Sequence, residues 1–496
     1  MIFQLGVILL TSFCTYIYTV WRPCFMVIDD QEGIVQYDGK MKSKSYYAFI
    51  KHFWYIMAGK SPKRHHWFSV FLQTSVSVLL YFFLQPLVGN PTSFCIAMLF
   101  AVHPINTQSV AWISARGYPL GLFFLLIALQ VPKIFSFYPI LKTFPIVEYI
   151  VFSFFLIWAI LSQFTIMAAF PILFILKEPS LGILSILISI GMGIYFLHDI
   201  IKDRAKTFTE QAMGHSTKLR PRKFIVAMKT LAYYTQLCIF PAHMGIYHKW
   251  GYHYDDDMEK EDSMFWLGLI LFLGMVGLFI TGNFAVRFGI LWYLSFLFIF
   301  LNWITIHQFV SERYCYIANI GLCIILGNYL VNYPIIFAFV IGLYLMRTWQ
   351  HLPTYCEETR FYMSNIWNFP DSEVSMANLG VVLMKAGLTG MAIDYWTSAI
   401  KINPNYDVPY YNLFSTLKMR GDFINARKHL VGAINTPTCH FKDMWSKELE
   451  NFDSELIKNK EKMPAFQFPP DLLNKYVDGS GRIITITTGD TLVATT

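Results

Sequence analysis

Apolar residues run almost without a break from position 2 to 21, and similar runs recur along the first 350 positions. Each approaches the roughly 20 residues that a helix needs to cross a bilayer core. The pattern predicts about eleven helical spans, near 2–21, 67–85, 92–103, 119–136, 146–163, 165–177, 181–198, 264–282, 285–305, 314–331 and 333–347. The segment 92–103 is short and calls for shelter by neighbouring helices. The segment 224–241 carries Lys229 and a Tyr-Tyr-Thr-Gln run, so it is expected to lie at the membrane interface rather than cross.

After Met346 the pattern changes. Residues 371–437 read as soluble helices that repeat every 34 positions: Asn378 recurs as Asn412, Leu379 as Leu413, Gly387 as Gly421, Ala392 as Ala426 and Ala399 as Ala433. Pro370 and Pro404 keep the same spacing. Small residues at fixed offsets let paired helices pack closely, and this period signals tetratricopeptide repeats. Residues 355–369 resemble half of an earlier, degenerate repeat, and the charged amphipathic stretch 440–460 is suited to cap the stack. The tail "RIITITTGDTLVATT" reads as a small hairpin around Gly489-Asp490. The expected class is all-α, a polytopic membrane bundle over 1–347, a repeat solenoid with its cap over 348–460, and a tail over 461–496.

Composition agrees. Of 496 residues, 55% are hydrophobic and 14% charged, against roughly 25% charged in a soluble domain. The net charge of +7 reads as membrane-flanking charge and gives no nucleic-acid patch. Residues 1–21 lack a basic leader and a small-residue cleavage site, so they are expected to be a retained first helix. With the N-terminus inside, Lys133, Lys142, Lys177 and Arg287 fall in cytoplasmic loops, leaving external loops at 22–66, 103–118 and 199–263. The eight cysteines form no CxxC pair and no disulfide framework.

Four polar groups stand out against this apolar background. Asp29 and Asp30 follow the first span within ten residues. Two adjacent carboxylates near lipid raise one another's pKa, which suits a general base; a solvated charge pair at a helix end is the alternative. "AVHPINTQSVAWISARG", 101–117, is a polar insertion between apolar runs, with His103 at its start and Arg116 against the next span. Arg116 suits bidentate pairing with a lipid-linked phosphate, or it snorkels. In "HQFVSERYCY", 307–316, Glu312 and Arg313 sit beside an apolar run and can pair internally. His243, His248 and His253, with Asp255, Asp256 and Asp257 behind them, are candidate ligands for a divalent metal. Their five-residue spacing does not align them on one helix face, which favours an aromatic loop on the membrane surface.

These pieces occur in an order that resembles the transmembrane-and-tetratricopeptide-repeat protein O-mannosyltransferases and their bacterial relatives, in the GT-C glycosyltransferase superfamily. An acidic pair follows the first span; "HPINTQSVAWISARG" is similar to the family's second-loop motif; "TFTEQ" opens an external loop; "SERYCYIANIG" is similar to its late motif; and repeats close the chain. The resemblance covers roughly residues 1–435 and is most specific at 101–117. It implies a sugar donor, mannose first, on a polyprenyl or dolichyl phosphate, and a Ser or Thr hydroxyl as acceptor, with chemistry on the external face. Asp30, with Asp29, matches the expected base; Arg116 and His103 match the donor-phosphate motif; Glu312 and Arg313 match the late motif. Gln163 stands where family members often carry Lys.

The leaving group is a phosphate, so a base and a phosphate clamp suffice and no metal is required. The partners implied are membrane lipid, the lipid-linked sugar, and a polypeptide presented by the repeats. A non-catalytic membrane scaffold whose repeats dock a protein is the competing class. A transporter is disfavoured, since few charges sit deep in the spans. No Asn-x-Ser/Thr sequon with a permitted middle residue occurs, which leans towards a bacterial-type inner membrane over the endoplasmic reticulum.

Overall fold

The computed structural model describes residues 1–24, 30, 34–37, 39–40, 46–203, 223–245, 248, 260–303, 310–437, 439, 441–458, 484–485 and 493–494. It forms two compact units, Met1–Pro370 and Asp371–Thr496. The division falls at 370, not at 347 as the hydropathy pattern predicts. Residues 348–368 belong to the first unit because their side chains are spent there. Thr348 Oγ1 donates to Val102 O at 2.7 Å, Asn368 Nδ2 donates to Met244 O at 2.9 Å, and Phe361 and Tyr362 are buried.

The helices of the first unit, in chain order, are α1 (Ile2–Tyr16, carried on by a turn at Tyr18–Trp21), α2 (Tyr46–Ala58), α3 (Pro62–Val88), α4 (Asn90–Val102), α5 (Thr107–Ala111), α6 (Gly117–Phe137), α7 (Pro145–Ser162), α8 (Phe170–Ile175), α9 (Pro179–Asp203), α10 (Lys223–Ile239), α11 (Ser263–Thr281), α12 (Phe284–Leu297), α13 (Cys315–Leu330), α14 (Pro334–His351) and α15 (Glu358–Asn368). Six helical segments are long and apolar enough to cross a membrane: Ile2–Trp21, Pro62–Val88, Ile113–Phe137, Pro145–Ser162, Ser263–Thr281 and Pro334–Cys356. The pair Asn90–Val102 and Pro104–Ala111, bent by 50°, makes a seventh if it is one broken span. By that measure the chain is a membrane protein. Every expected span overlaps a helix among the described residues, but those long and apolar enough to cross are six or seven, not eleven. Phe164–Ile175, Pro179–Tyr195 and Phe284–Phe300 are shorter apolar helices, and α13 has 16 residues.

Helix starts follow from local chemistry. Ser61 caps α3 ahead of Pro62, and Asn283 caps α12 through the Val286 amide at 3.0 Å. Asp262 caps α11, accepting from the Met264 and Phe265 amides at 3.0 and 3.1 Å, and pairs with Lys229 Nζ at 2.8 Å. The short α4 is sheltered as its length demands: everything from Cys95 to Val102 is buried, among α1, α3 and α13. The segment 224–241 forms most of α10, which is not among the helices long and apolar enough to cross a membrane. On α10, Ile225 to Ala232 are all buried, together with Tyr234, Thr235, Leu237 and Cys238.

The second unit holds α16 (Glu373–Lys385), α17 (Thr389–Ile402), α18 (Asp407–Met419), α19 (Phe423–Asn435) and α20 (Lys442–Lys458). The pair α18–α19 starts 34 residues after α16–α17. Gly387 and Gly421 take φ of +80° and +79° between the helices of each pair, a left-handed turn that a Cβ disfavours. The alanines at 392, 399, 426 and 433 are fully buried where the paired helices meet. Helix α20 covers the second pair. Trp445 stacks on Tyr411 at 4.8 Å, and Arg427 holds Asp453 through Nε at 2.8 Å and Nη2 at 3.1 Å. Strands β1 (Ile484–Thr485) and β2 (Val493–Ala494) pair antiparallel, Ile484 with Ala494 and Thr485 with Val493; Gly489 and Asp490 lie outside the described residues.

Candidate functional site

The motif 101–117 is not an exposed loop. After Val102 the chain turns at Pro104–Asn106, continues as α5, and turns again at Ile113–Arg116. His103, Asn106, Thr107, Gln108, Ser109 and Arg116 are all buried, while Ser114 is exposed. Its polar character is therefore mostly not spent on solvation: His103, Asn106, Gln108 and Arg116 make hydrogen bonds inside the protein, while Thr107 Oγ1 and Ser109 Oγ are buried without a partner. Gly117 closes the segment against the end of α7, where a Cβ would come within 2.7 Å of Ser162 O.

Asp30 is fully buried, and its Oδ1 accepts from both Ser114 groups, the amide at 3.0 Å and the hydroxyl. The structure thus joins the acid after the first span to the end of the motif, 84 residues away. Asp29 lies outside the described residues.

Arg116 is 1% exposed. A guanidinium removed from water needs partners on its nitrogens, and most of it has them. Nε donates to Ile113 O at 3.0 Å, Nη1 meets His65 Nδ1 at 2.7 Å, and the guanidinium carbon sits 4.0 Å from the Trp54 ring centre. Asp30 is within electrostatic reach. Only Nη2 is buried without a hydrogen-bond partner. Snorkelling is excluded for this side chain, and so is a free two-pronged grip on phosphate: one prong is committed to His65.

His65 and His66, in "KRHHW", were not singled out by sequence pattern. His65 Nδ1 must accept, since a guanidinium only donates, so Nε2 carries the proton and donates to Gly59 O at 2.9 Å. His66 Nε2 meets Cys24 O at 3.1 Å, while its Nδ1 is buried and unpartnered. Two adjacent histidines at the start of a span were the available signal.

His103 is not free to bind phosphate. Its Nδ1 accepts from the Ile105 amide at 3.2 Å, its Nε2 donates to Cys238 O at 2.7 Å, and its ring packs 4.5 Å from Tyr344. Both nitrogens are spent on backbone, so the expected phosphate role is corrected to a tie between the motif and α10. Gln108 is a second tie. Its Oε1 accepts from Ser311 Oγ at 3.1 Å and from the Arg313 amide at 2.7 Å, fastening the motif to the late motif.

Glu312 and Arg313 face different surroundings. Arg313 lies over Trp112 at 5.0 Å and Tyr314 at 5.4 Å. Glu312 is fully buried; it accepts from the Gly245 amide and faces His248 Nε2 at 3.8 Å and His351 Nε2 at 3.6 Å. Burial pushes His248 down to about 4, against the pull of Glu312, so at neutral pH the contact joins a carboxyl group to a neutral imidazole. Tyr233 Oη meets its Nδ1 at 2.7 Å. Of the other candidate metal ligands, His243 is exposed, and His253 and Asp255 to Asp257 lie outside the described residues. Among the described residues no group of three His, Cys, Asp or Glu side chains is placed to hold an ion.

What emerges is one turn, Ile113–Arg116, that meets the Asp30 side chain at Ser114 and carries a buried guanidinium with one nitrogen lacking a hydrogen-bond partner at Arg116. Comparison of the chain with family models, with curated proteins and with solved structures finds no match in any of the three.

Proposed function

We propose that the protein is a membrane glycosyltransferase of the GT-C type that moves a sugar, mannose first, from a polyprenyl or dolichyl phosphate to Ser or Thr hydroxyls of a polypeptide. The observation that carries this reading is the junction of Asp30 and Arg116 across Ser114. In this scheme Asp30 takes the proton of the acceptor hydroxyl. Arg116 Nη2 donates to the donor phosphate as charge develops on it, held in line by His65 and Trp54. Asp29 flanks the base, while Arg313 and Glu312 line the neighbouring motif. The 34-residue helix pairs support reading the second unit as a short tetratricopeptide stack that presents the acceptor.

The test is transfer of radiolabelled mannose from mannosyl-phosphoryl dolichol or its bacterial polyprenyl counterpart to Ser/Thr peptides, with the full chain in vesicles. Transfer that is lost in Asp30→Asn is the expected result. Absence of transfer from either donor, by protein that binds a polypeptide through its repeats, leaves the scaffold reading in its place.

A further inference from the structure

Two cysteines from opposite ends of the first unit meet. Cys24 follows the first span, and Cys356 closes the turn Leu352–Cys356 after α14. The Sγ of Cys24 lies 3.2 Å from the carbonyl oxygen of Tyr355, the residue bonded to Cys356. That oxygen and the next Cα are about 2.8 Å apart across a trans peptide, so Cys24 Sγ is within about 6 Å of the Cys356 Cα. The turn Tyr18–Trp21 packs on Leu352–Cys356, and after burial the Cys356 thiol is the strongest electrostatic influence on Cys24. Both side chains are partly exposed, whereas Cys95, Cys238, Cys315 and Cys323 are buried. Cys24 is held through its carbonyl oxygen by His66 Nε2, and the Cys356 thiol donates to Leu352 O at 3.6 Å within its own turn.

We propose that Cys24 and Cys356 are a disulfide site, bridged when their side of the membrane is oxidising, and that the bridge ties the exit of the first span to the turn after α14. The oxidant is another disulfide, either glutathione disulfide or a CxxC oxidoreductase. The Cys24 thiolate attacks one of its sulfurs, forming a mixed disulfide and releasing one thiolate. The Cys356 thiolate then attacks Cys24 Sγ and releases the second. Two protein thiols lose two protons and two electrons, and the oxidant is reduced to two thiols. Burial, then the Cys356 thiol and the carboxylates of Asp30, Glu358 and Glu357, push the Cys24 thiol up. Little thiolate exists at neutral pH, so exchange is slow without a catalyst. The bridge is accordingly a staple, made once, and not a rapid switch. It closes a very long loop, from 24 to 356, the case in which a cross-link restricts the unfolded chain most.

The test uses the full chain in detergent, incubated with glutathione disulfide or with dithiothreitol, alkylated with N-ethylmaleimide and mapped by mass spectrometry. The expected result is a linked Cys24–Cys356 peptide pair, joint loss of alkylation at both positions, and an upward shift in Tm on oxidation. The double variant C24S/C356S is expected to lose the redox dependence of Tm. Wild-type protein in which both thiols remain alkylated after oxidation overturns the proposal, as does a link from Cys24 to any other cysteine. The wild-type map decides this whether or not the variant folds.

Discussion

The Nη1 of Arg116 lies 2.7 Å from Nδ1 of His65, a residue 51 positions earlier. That contact fixes the tautomer of the histidine and the plane of the guanidinium together, because His65 Nε2 is committed to Gly59 O. Protonated His65 cannot accept from Arg116. His65→Ala should therefore free the guanidinium to rotate and leave Nη1 with only the long contact to the residue-65 carbonyl at 3.4 Å, at a cost of about 1–3 kcal/mol. Thermal unfolding of the detergent-solubilised protein measures it. An unchanged Tm together with unchanged sugar transfer would show that the contact positions nothing.

Arg116→Ala is expected to weaken use of the lipid-linked donor, since a charge-assisted hydrogen bond is worth about 1.5–3 kcal/mol. Arg116→Lys keeps a cation but loses the flat fork that reaches Ile113 O and His65 at once. Partial rescue in KM for the donor is expected from Lys, with lower Tm. Wild-type kinetics in both variants would move the phosphate contact elsewhere.

Gln108 fastens two motifs 205 positions apart through one oxygen. Gln108→Ala removes the acceptor for Ser311 Oγ and the Arg313 amide and leaves both donors buried, which should cost about 1–3 kcal/mol. Gln108→Glu retains an acceptor and should restore most of it. Chemical denaturation of the three proteins distinguishes these outcomes; equal midpoints would mean that water replaces the side chain at no loss.

Much of the scaffold was legible. Apolar runs marked most of the long helices of the membrane unit but not Tyr46–Ala58, Thr107–Ala111 or Glu358–Asn368, and the 34-residue spacing of Gly387 with Gly421 and of the four alanines marked the helix pairs. Asp30 and Arg116 were legible as charged groups set against apolar surroundings. Three things were not. The burial of 103–113 and of Arg116 was hidden because polar residues read as solvent-facing unless their partners are known, and those partners sit on α3, on α10 and beside Glu312. His65 and Gln108 were silent because their contacts join distant positions, and local periodicity carries no record of such pairs. Among the described residues the full-length spans are fewer than the apolar runs because hydropathy reports apolar surroundings, not length: α4 and α13 are apolar through burial within protein.

His248 gives stability a pH dependence. Burial holds its folded-state pKa near 4, below the 6.5 of an unperturbed histidine. The unfolded chain thus binds the proton first. The contribution is fully present above pH 6.5 and is lost as pH falls from 6.5 towards 4, by up to about 3 kcal/mol. The groups facing it are Glu312, His351, Tyr233 and the Gly245 backbone. Tm should fall over that window in the wild type and fall less in His248→Gln. Parallel slopes would mean that His248 is equally easy to protonate in both states.

Asp30→Asn tests the chemistry most directly. The wild-type Oδ1 accepts from the Ser114 amide and hydroxyl, and an asparagine oxygen in the same place accepts both. The fold around Ile113–Arg116 should therefore survive, as judged by Tm. What asparagine cannot do is take a proton from an incoming hydroxyl at neutral pH. Loss of a general base typically costs about 10²–10⁴ in rate, so sugar transfer should drop by that factor while donor binding changes little. Ser114→Ala supplies the control: it removes the hydroxyl donor but keeps the backbone amide and the carboxylate. It should retain most of the activity if Asp30 is the base and Ser114 only orients it. If Asp30→Asn transfers sugar at the wild-type rate, the buried carboxylate is a structural anchor for the turn and the base lies on another residue.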